Sequence, residues 1–339
     1  MLNKLSLAFA ITVGATSLFA QQPAPLKAEI VSVEKIWDRG NHNAFTDLIR
    51  FQNLFYCTLR EAAAHVGGNG QIRVLASYDA KSWSPVALIS EEGIDLRDPK
   101  FCPTKEDRLF MVVGGSTYQG TQLMGRRPRV LTSTDGKNWS PPVKVLADGD
   151  WLWRAVLHDD RYYGTVYNTH PTTGGPKEEA EWSLKLYTSV DSKAWSLNAP
   201  WEIKGRPNEA TVRVLKDGSM MALVRRETPG MNKGMIGTSP APFRTWTWSE
   251  VAVPLGGPNF IELPDGRLIA GSRGFGKTPG AHMVLFQMTG TSLMPLIELP
   301  SSGDCSYPGL VFHEGHLYVS YYSSHEGKTS IYMAKVKID

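Results

Sequence analysis

The stretch Ser77-Tyr78-Asp79-Ala80-Lys81-Ser82-Trp83 occurs twice more in this chain in altered form. It returns as Ser-Thr-Asp-Gly-Lys-Asn-Trp at Ser133–Trp139 and as Ser-Val-Asp-Ser-Lys-Ala-Trp at Ser189–Trp195, which separates successive aspartates by 56 residues. A degraded fourth copy runs from Thr238 to Trp246. Self-similarity at a fixed period of this size is the sequence signature of a repeat architecture.

The residue types in this motif predict a hairpin turn that carries a packing residue. An Asp side chain accepts hydrogen bonds from backbone N–H groups that a tight turn leaves free. The Trp that follows folds back and packs between sheets. We therefore expect Asp79, Asp135 and Asp191 to order turns and to take no part in catalysis.

A second, weaker repeat covers the rest of the chain. Each unit has a polar segment that leads into a strand, then a turn and a second strand, and Asp-Gly turns such as Asp217-Gly218 and Asp265-Gly266 are good hairpin signals. Six units at roughly fifty-residue spacing predict an all-β fold, a six-bladed β-propeller of four-stranded antiparallel blades. We expect one domain over residues 21–339, closed by pairing Ala28–Val33 with the last blade near Ser330–Met333.

The first twenty residues have a different character. Met1-Leu2-Asn3-Lys4 is a short basic start, an apolar run follows to Phe19, and Gln21-Gln22-Pro23 is abruptly polar. This pattern is typical of a cleaved signal peptide, so residues 1–20 predict a secreted or periplasmic protein with no integral membrane segment after cleavage. The chain has three cysteines, Cys57, Cys102 and Cys305, and this odd number leaves at least one thiol unpaired. We interpret the cysteines as small residues of the core.

Composition excludes some partners. The chain is 42% hydrophobic and 20% charged with a formal net charge of +3, and it has no long Lys/Arg run, so nothing favours nucleic acid. The basic segment Gly125-Arg126-Arg127-Pro128-Arg129 is short and contains a proline, which predicts a loop. The eight His show no metal-binding spacing, so we expect no metal and no cofactor. The oligomeric state is open.

The segments that lead into the inner strands predict the functional site, because such segments converge at one face of a propeller channel. They collect acids, arginines, a histidine, an amide and a tyrosine, namely His42, Asp47, Arg97, Asp98, Arg154, Glu209, Asn259 and Tyr307. Arginines hold carboxylates by bidentate hydrogen bonds, while carboxylates or an activated tyrosine perform glycosidic chemistry. Arg60 is either half of a buried pair or a substrate contact.

Three features resemble the sialidase superfamily. The Ser-x-Asp-x-x-x-Trp motif resembles, in a shortened form, the Asp boxes of sialidases and related BNR-repeat propellers. Asn208 through Arg225 resembles the sialidase segment with the catalytic Glu and the second arginine of a triad, and Ser306 through Tyr322 resembles the segment with the nucleophilic Tyr. The resemblance implies that Tyr307 attacks the anomeric carbon, Glu209 takes its proton and Arg225 holds an acidic group of the sugar.

The chain also departs from the family pattern. Where the first triad Arg belongs, Asn43-Ala44-Phe45-Thr46-Asp47-Leu48 has none, and His65 is nearest to the place of the acid/base Asp. Arg273 is a candidate for the third Arg, although the strand that would align carries His282. Because the full triad is missing, the resemblance is to a divergent member of the family, and a uronic or ulosonic acid fits as the substrate at least as well as sialic acid. The general acid is open among His65, Asp98 and Asp47.

These observations predict an exo-acting glycoside hydrolase that removes a terminal, acidic sugar from a glycan. Two alternatives stay open. One is a glycan-binding propeller without catalysis, favoured by the missing Arg and Asp. The other is a polysaccharide lyase on the same scaffold that uses His42 or His65 with Tyr307.

Overall fold

The architecture is a ring of antiparallel sheets. A computed structural model describes residues 25–104, 107–169, 182–274 and 280–339. Its strands form six four-stranded antiparallel sheets, which confirms the predicted six-bladed β-propeller. Residues 1–20, the predicted signal peptide, lie outside the described part. Within that part, no helix has the length and apolar character that a bilayer crossing requires.

Each blade is a meander in which sequential strands pair. The strands are β1 Ala28–Trp37, β2 His42–Phe51, β3 Leu54–Ala62, β4 Gln71–Ser77, β5 Ser84–Ile89, β6 Asp95–Pro103, β7 Leu109–Gln119, β8 Gln122–Ser133, β9 Val143–Lys144, β10 Asp150–His158, β11 Arg161–Asn168, β12 Ser183–Ser189, β13 Ser196–Trp201, β14 Pro207–Val214, β15 Met220–Arg226, β16 Lys233–Ser239, β17 Thr247–Pro254, β18 Asn259–Glu262, β19 Leu268–Gly274, β20 His282–Met288, β21 Leu293–Leu299, β22 Ser306–His313, β23 His316–Ser323 and β24 Ser330–Ile338.

The first strand closes the ring. β1 is the outer strand of the last blade, in the order β1-β24-β23-β22, which confirms the predicted closure of the ring, although Ala28–Val33 pairs with Ala334–Ile338, just after the predicted Ser330–Met333. Ala28 lies opposite Ile338 and Val33 opposite Ala334. Closure leaves the innermost strands β2, β6, β10, β14, β18 and β22 around the central channel.

The repeated motif forms the turn that its residue types predict. Asp135 Oδ1 accepts hydrogen bonds from Lys137 N at 2.8 Å and Asn138 N at 2.7 Å. Asp79 and Asp191 receive the equivalent pairs of bonds. These charge-assisted bonds, together with the side chains of Ser133 and Asn138, outweigh partial burial and lower the pKa of Asp135 to about 2.

The degraded fourth copy keeps the geometry of the motif without its Asp. Trp139 Nε1 donates to the carbonyl three residues earlier, at 3.1 Å, and Trp195 does the same at 2.9 Å. Trp246 also donates to the carbonyl three residues before it, that of Phe243, at 3.0 Å. Its ring packs on Trp201 at a centroid distance of 4.8 Å, which places it between blades as predicted for the Trp of the motif.

The three cysteines are buried and unpaired. Burial raises the pKa of the Cys57 and Cys102 thiols to about 12, which keeps both as unreactive thiols. They serve as small core residues, in agreement with the sequence interpretation.

Candidate active site

Most of the innermost strands carry a β-bulge near the end that faces the cleft. In β2, β6, β14 and β22 two residues oppose one on the neighbouring strand, and the bulged pairs are 45–46, 98–99, 208–209 and 307–308. A bulge re-aims side chains and is common beside active sites. The first residue of three bulges has a left-handed backbone, with φ of 62° at Phe45, 49° at Asp98 and 55° at Tyr307.

Two of these bulges contain a sequence signal. Pro99 and Pro308 occupy the second bulge position, where the ladder is already interrupted. Proline has no N–H to give to a ladder, and inside a sheet it is confined to edges and bulges. Asp98 and Tyr307 are therefore the residues that the bulges single out.

Tyr307, Glu209 and Arg225 meet in one hydrogen-bonded group. The Tyr307 hydroxyl donates to Glu209 Oε1 at 2.5 Å, and Arg225 Nη1 reaches the same oxygen at 2.9 Å. The other oxygen, Oε2, accepts the N–H of Gly257 at 2.7 Å. Arg225 also bonds Glu227 at 2.7 Å, so two carboxylates already occupy its guanidinium.

The electrostatics of this group fix which of the two partners, Tyr307 or Glu209, holds the proton at rest. Burial opposes the ionisation of Glu209, yet Arg225, the Tyr307 hydroxyl and the Gly257 N–H together lower the pKa of its carboxyl. Burial and the Glu209 charge raise the pKa of the Tyr307 phenol well above its ordinary value. At neutral pH the resting pair is therefore a phenol that donates to a carboxylate, which is the ground state of a base-activated nucleophile.

Asp98 is a buried carboxyl with spare hydrogen-bonding capacity. Its Oδ1 has no partner within the described residues. Burial, with a contribution from the Glu209 charge, raises the pKa of Asp98 although Arg97 and Lys100 act against it. A carboxyl with a raised pKa beside an ionised one is the arrangement that separates a general acid from a base.

His42, at the start of β2, and His65, just after β3, lie at the same end of the first blade and converge on Asp304. His65 Nδ1 lies 2.8 Å and His42 Nε2 3.1 Å from the same carboxylate oxygen, and Tyr322 donates to the other at 2.9 Å. These contacts outweigh burial and hold the pKa of the Asp304 carboxyl well below its usual range.

This cluster has the composition of a cation site but not its outer shell. The three possible ligand atoms lie within 4.8 Å of one another. A metal-bound His almost always donates its second ring N–H to a partner. The buried Nδ1 of His42 has none among the described residues. The arrangement fits a hydrogen-bonded relay that orients His65, whose side chain is half exposed.

Arg60 and Arg97 share one buried acid. Arg60 forms a bidentate pair with Asp95, at 2.7 and 3.0 Å, and its Nη1 donates to the carbonyl of Ala64. Arg97 Nη1 bonds Asp95 at 3.3 Å and the Tyr118 hydroxyl at 3.2 Å. Of the two, Arg97 lines the cleft, while Arg60 is completely buried.

Three other predicted residues lie apart from the cleft. Asp47 and Arg154 form a bidentate pair with both distances 3.0 Å, farther along the innermost strands, and Asp47 also accepts Phe101 N. Asn259 binds the carbonyl of Pro308 and the guanidinium of Arg213. These contacts order neighbouring blades against one another.

Arg273 is placed differently again. Its guanidinium lies against Gly256, where an added Cβ would be 2.7 Å from Nε. Its charge acts on Tyr322 and Cys305, and Arg273 is not among the residues that line the cleft.

The predicted residues that converge surround a cleft of about 260 Å³. The predicted residues that line it are His65, Arg97, Asp98, Glu209 and Tyr307, and Phe45 lies among them. The sequence interpretation did not place Tyr118, Arg126, Tyr167 and Trp182 there, although all four also line it. Tyr118 and Arg126 come from the β7–β8 hairpin, whose two strands are longer than the second and third strands of the other blades. Arg126 lies in a strand, β8, where the sequence predicted a loop.

Several solved structures share this fold. A protein of unknown function from Dyadobacter fermentans matches with a TM-score of 0.79 at 20% identity, over 92% of this chain and 99% of that one. Trypanosoma rangeli sialidase in complex with sialic acid gives 0.69 at 12% identity, over 92% and 59%. An α-L-arabinofuranosidase from Fusarium graminearum in complex with an iminosugar inhibitor gives 0.70 at 14% identity, over 91% and 98%.

The chain has a sialidase-like fold. No protein-family model and no curated protein matches the sequence. Identities this low show shared architecture, and fold by itself does not give function. The named neighbours include glycoside hydrolases, so the scaffold is one on which glycosidic chemistry occurs.

Proposed function

We propose that the protein is a retaining glycoside hydrolase that removes a terminal, acidic sugar from a glycan. The observation that carries the proposal is the 2.5 Å hydrogen bond from the Tyr307 hydroxyl to Glu209, in a group that Arg225 keeps ionised. Sialidases are the glycosidases that use a tyrosine nucleophile, and the sialidase-like fold supports the same chemistry here.

The proposed reaction has two steps. In the first, the Tyr307 oxygen attacks the anomeric carbon, its proton passes to Glu209, and Asp98 protonates the departing glycosidic oxygen. In the second, Asp98 takes a proton from water, whose oxygen attacks the same carbon, and Tyr307 leaves and recovers its proton from Glu209. The sugar is released with retained configuration, and every residue returns to its starting state.

The assignment of Asp98 as general acid rests on two observations. Asp98 lines the same cleft as Tyr307 and Glu209, and its pKa is raised. Asp47 also has a buried carboxylate, but both oxygens already bind Arg154. Efficient proton transfer requires a group within reach of the leaving oxygen, and geometry comes before pKa in that choice.

A lyase is the second candidate, and the His65–Asp304 contact favours it. A His that a carboxylate orients, on the same cleft as a Tyr, can supply the base and acid that a uronate elimination requires. Elimination leaves an unsaturated uronide with ultraviolet absorbance, whereas hydrolysis does not. Absorbance that appears in step with product would replace the hydrolase proposal by this one.

The proposal is tested with purified protein and a panel of sialylated, uronate-terminated, ulosonate-terminated and neutral glycans. Released sugars are measured by mass. We expect release of one terminal sugar, a loss of at least about 1,000-fold in Tyr307→Phe, and a loss of about 100- to 10,000-fold in Glu209→Gln. Tyr318→Phe is the matched control, because Tyr318 lies in the same blade and packs on Phe55.

Two results would contradict the proposal. The first is a Tyr307→Phe protein that releases sugar at the rate of the Tyr318→Phe control. The second is saturable binding of glycans with no released sugar at long times, which would instead support a glycan-binding propeller.

We also propose that the protein acts outside the cytoplasm, since residues 1–20 have the pattern of a cleaved signal peptide. Amino-terminal sequencing of the protein from periplasm or culture medium tests this, and an intact Met1 there would contradict it.

A further inference from the structure

Two arginines line the cleft, and they differ in whether a neighbouring carboxylate pairs with the guanidinium. Arg97 bonds Asp95 and the Tyr118 hydroxyl. The Arg126 side chain makes one hydrogen bond in the described part of the chain, from Nε to the carbonyl of Gly149 at 2.9 Å. No described carboxylate is within ion-pair distance of its guanidinium, and its buried Nη2 has no hydrogen-bond partner there.

Arg126 is nonetheless held in place. Gly149 N donates back to the Arg126 carbonyl at 2.8 Å, and Gly149 has a φ of 89°, which favours glycine. The guanidinium carbon lies 5.7 Å from the Trp151 ring and 5.4 Å from the Tyr167 ring, within cation–π range. A guanidinium fixed in this way loses little further conformational entropy when it binds a ligand.

The Asp150 carboxylate acts on Arg126 but does not offset the burial of the guanidinium. Burial lowers the pKa of Arg126, whereas acids near Arg97 outweigh burial and raise the pKa of that group. Leaving a buried charged donor without a partner costs free energy, and a bound anion would remove that cost. Tyr167 interacts electrostatically with both Arg126 and Glu209. The Arg126 guanidinium, which has no ion-pair partner among the described residues, therefore lies at the same cleft as the reacting group.

We propose that Arg126 is the residue that binds the carboxylate of the acidic sugar. This inference rests on the proposed function, and it assigns the substrate carboxylate to the β7–β8 hairpin. Arg225 is the other arginine near the nucleophile, but Glu209 and Glu227 already occupy it. The planar guanidinium of Arg126 can give a sugar carboxylate a bidentate, charge-assisted contact.

The test compares acidic probes with neutral copies of themselves. The probes are the methyl glycosides of glucuronate, galacturonate and N-acetylneuraminate, each beside its carboxyl methyl ester. Their binding to the full chain is measured by titration calorimetry in the natural protein, Arg126→Gln, Arg127→Gln and Arg273→Gln. Arg127 is the matched control, because it is the neighbour of Arg126 and pairs with the exposed Asp148 outside the cleft.

We expect at least one acid to bind more tightly than its ester. Arg126→Gln should weaken that acid by about 10- to 100-fold, the usual effect of a charge-assisted hydrogen bond, and leave the ester unchanged. Arg127→Gln should behave like the natural protein. If Arg126→Gln lowers the thermal midpoint, Arg126→Lys decides the matter: it keeps the charge and should retain part of the preference for the acid.

Three results would overturn the inference: no acid binds better than its ester, the acid binds Arg126→Gln as tightly as the natural protein, or the preference is lost in Arg273→Gln instead. Failure of the proposed function has a different signature. Acid binding that depends on Arg126, without any released sugar, would contradict the hydrolase proposal and support the carboxylate site. Release of a neutral sugar would support glycoside hydrolysis and contradict the carboxylate site.

Discussion

Asp47 and Asp98 lie on the innermost strands of adjacent blades, and both are buried, yet their surroundings differ. The Asp47 carboxylate accepts hydrogen bonds from both Nη atoms of Arg154 and from the N–H of Phe101. Asp98 has an oxygen without a partner in the described residues, and its pKa is raised. The Asp47 carboxylate is fully used in contacts that hold the fold together, whereas Asp98 has an oxygen available to bind or protonate a substrate.

The local backbone explains the difference. Asp98 is the first residue of a bulge, with a φ of 49°, whereas Asp47 is the first regularly paired residue after one. A bulge changes which way a side chain points relative to the regular alternation of a strand. Burial alone is therefore a poor guide to function in this channel, and hydrogen-bond saturation is a better one.

The largest expected effect is on catalysis by Asp98. Asp98→Asn should lower the turnover of unactivated glycosides by about 100- to 10,000-fold, because the leaving oxygen loses its proton donor. An aryl glycoside with an acidic phenol as leaving group needs less protonation, so its first step should be much less affected, as burst kinetics can measure. Asn is the chosen replacement because it tolerates the left-handed backbone at this position.

The control for this prediction is His65→Gln, since His65 is the other acid candidate that lines the cleft. If His65→Gln rather than Asp98→Asn shows the leaving-group dependence, His65 is the acid and Asp98 has another role.

The next largest effect is on stability through Asp47. Asp47→Asn leaves the Arg154 guanidinium without its carboxylate and should cost about 3–5 kcal/mol in the free energy of unfolding, measured by urea denaturation. Replacing both partners, as Asp47→Leu with Arg154→Met, should cost less than the sum of the two single changes. A fully stable Asp47→Asn protein would show that the pair is not needed for folding.

The smallest effect is on the pH dependence of stability. The folded-state pKa of Asp98 is raised above its ordinary 3.8, so the folded state binds this proton more tightly than the unfolded state does. The contribution of Asp98 is therefore most favourable below the unfolded pKa and is lost as pH rises through the folded pKa. Asp98→Asn lacks this loss, so its stability relative to the natural protein should increase with pH across that window.

Unfolding curves for the two proteins over a pH series measure this difference. A difference that is constant from acid to neutral pH would mean that the pKa of Asp98 is not raised by folding.

The candidate site could be predicted only in part. Tyr307, Glu209, Asp98 and Arg97 follow from their positions at the start of inner strands, and the structure brings all four to one cleft. Arg154 and Asn259 have the same sequence position but bind other protein groups. Asp304 was missed, although it lies only three residues before Tyr307, because nothing local reveals that His42 and His65 meet it.

The sequence by itself determined the six blades, the closure of the ring and the turns of the repeated motif. These features depend on short-range pairing and on periods that every repeat restates, so local residue types suffice to specify them. Only the tertiary structure decided which buried charges are paired. That depends on side chains from different blades, such as Asp47 with Arg154 107 residues away, and on bulges that turn one acid into the cleft and leave its neighbour in the channel.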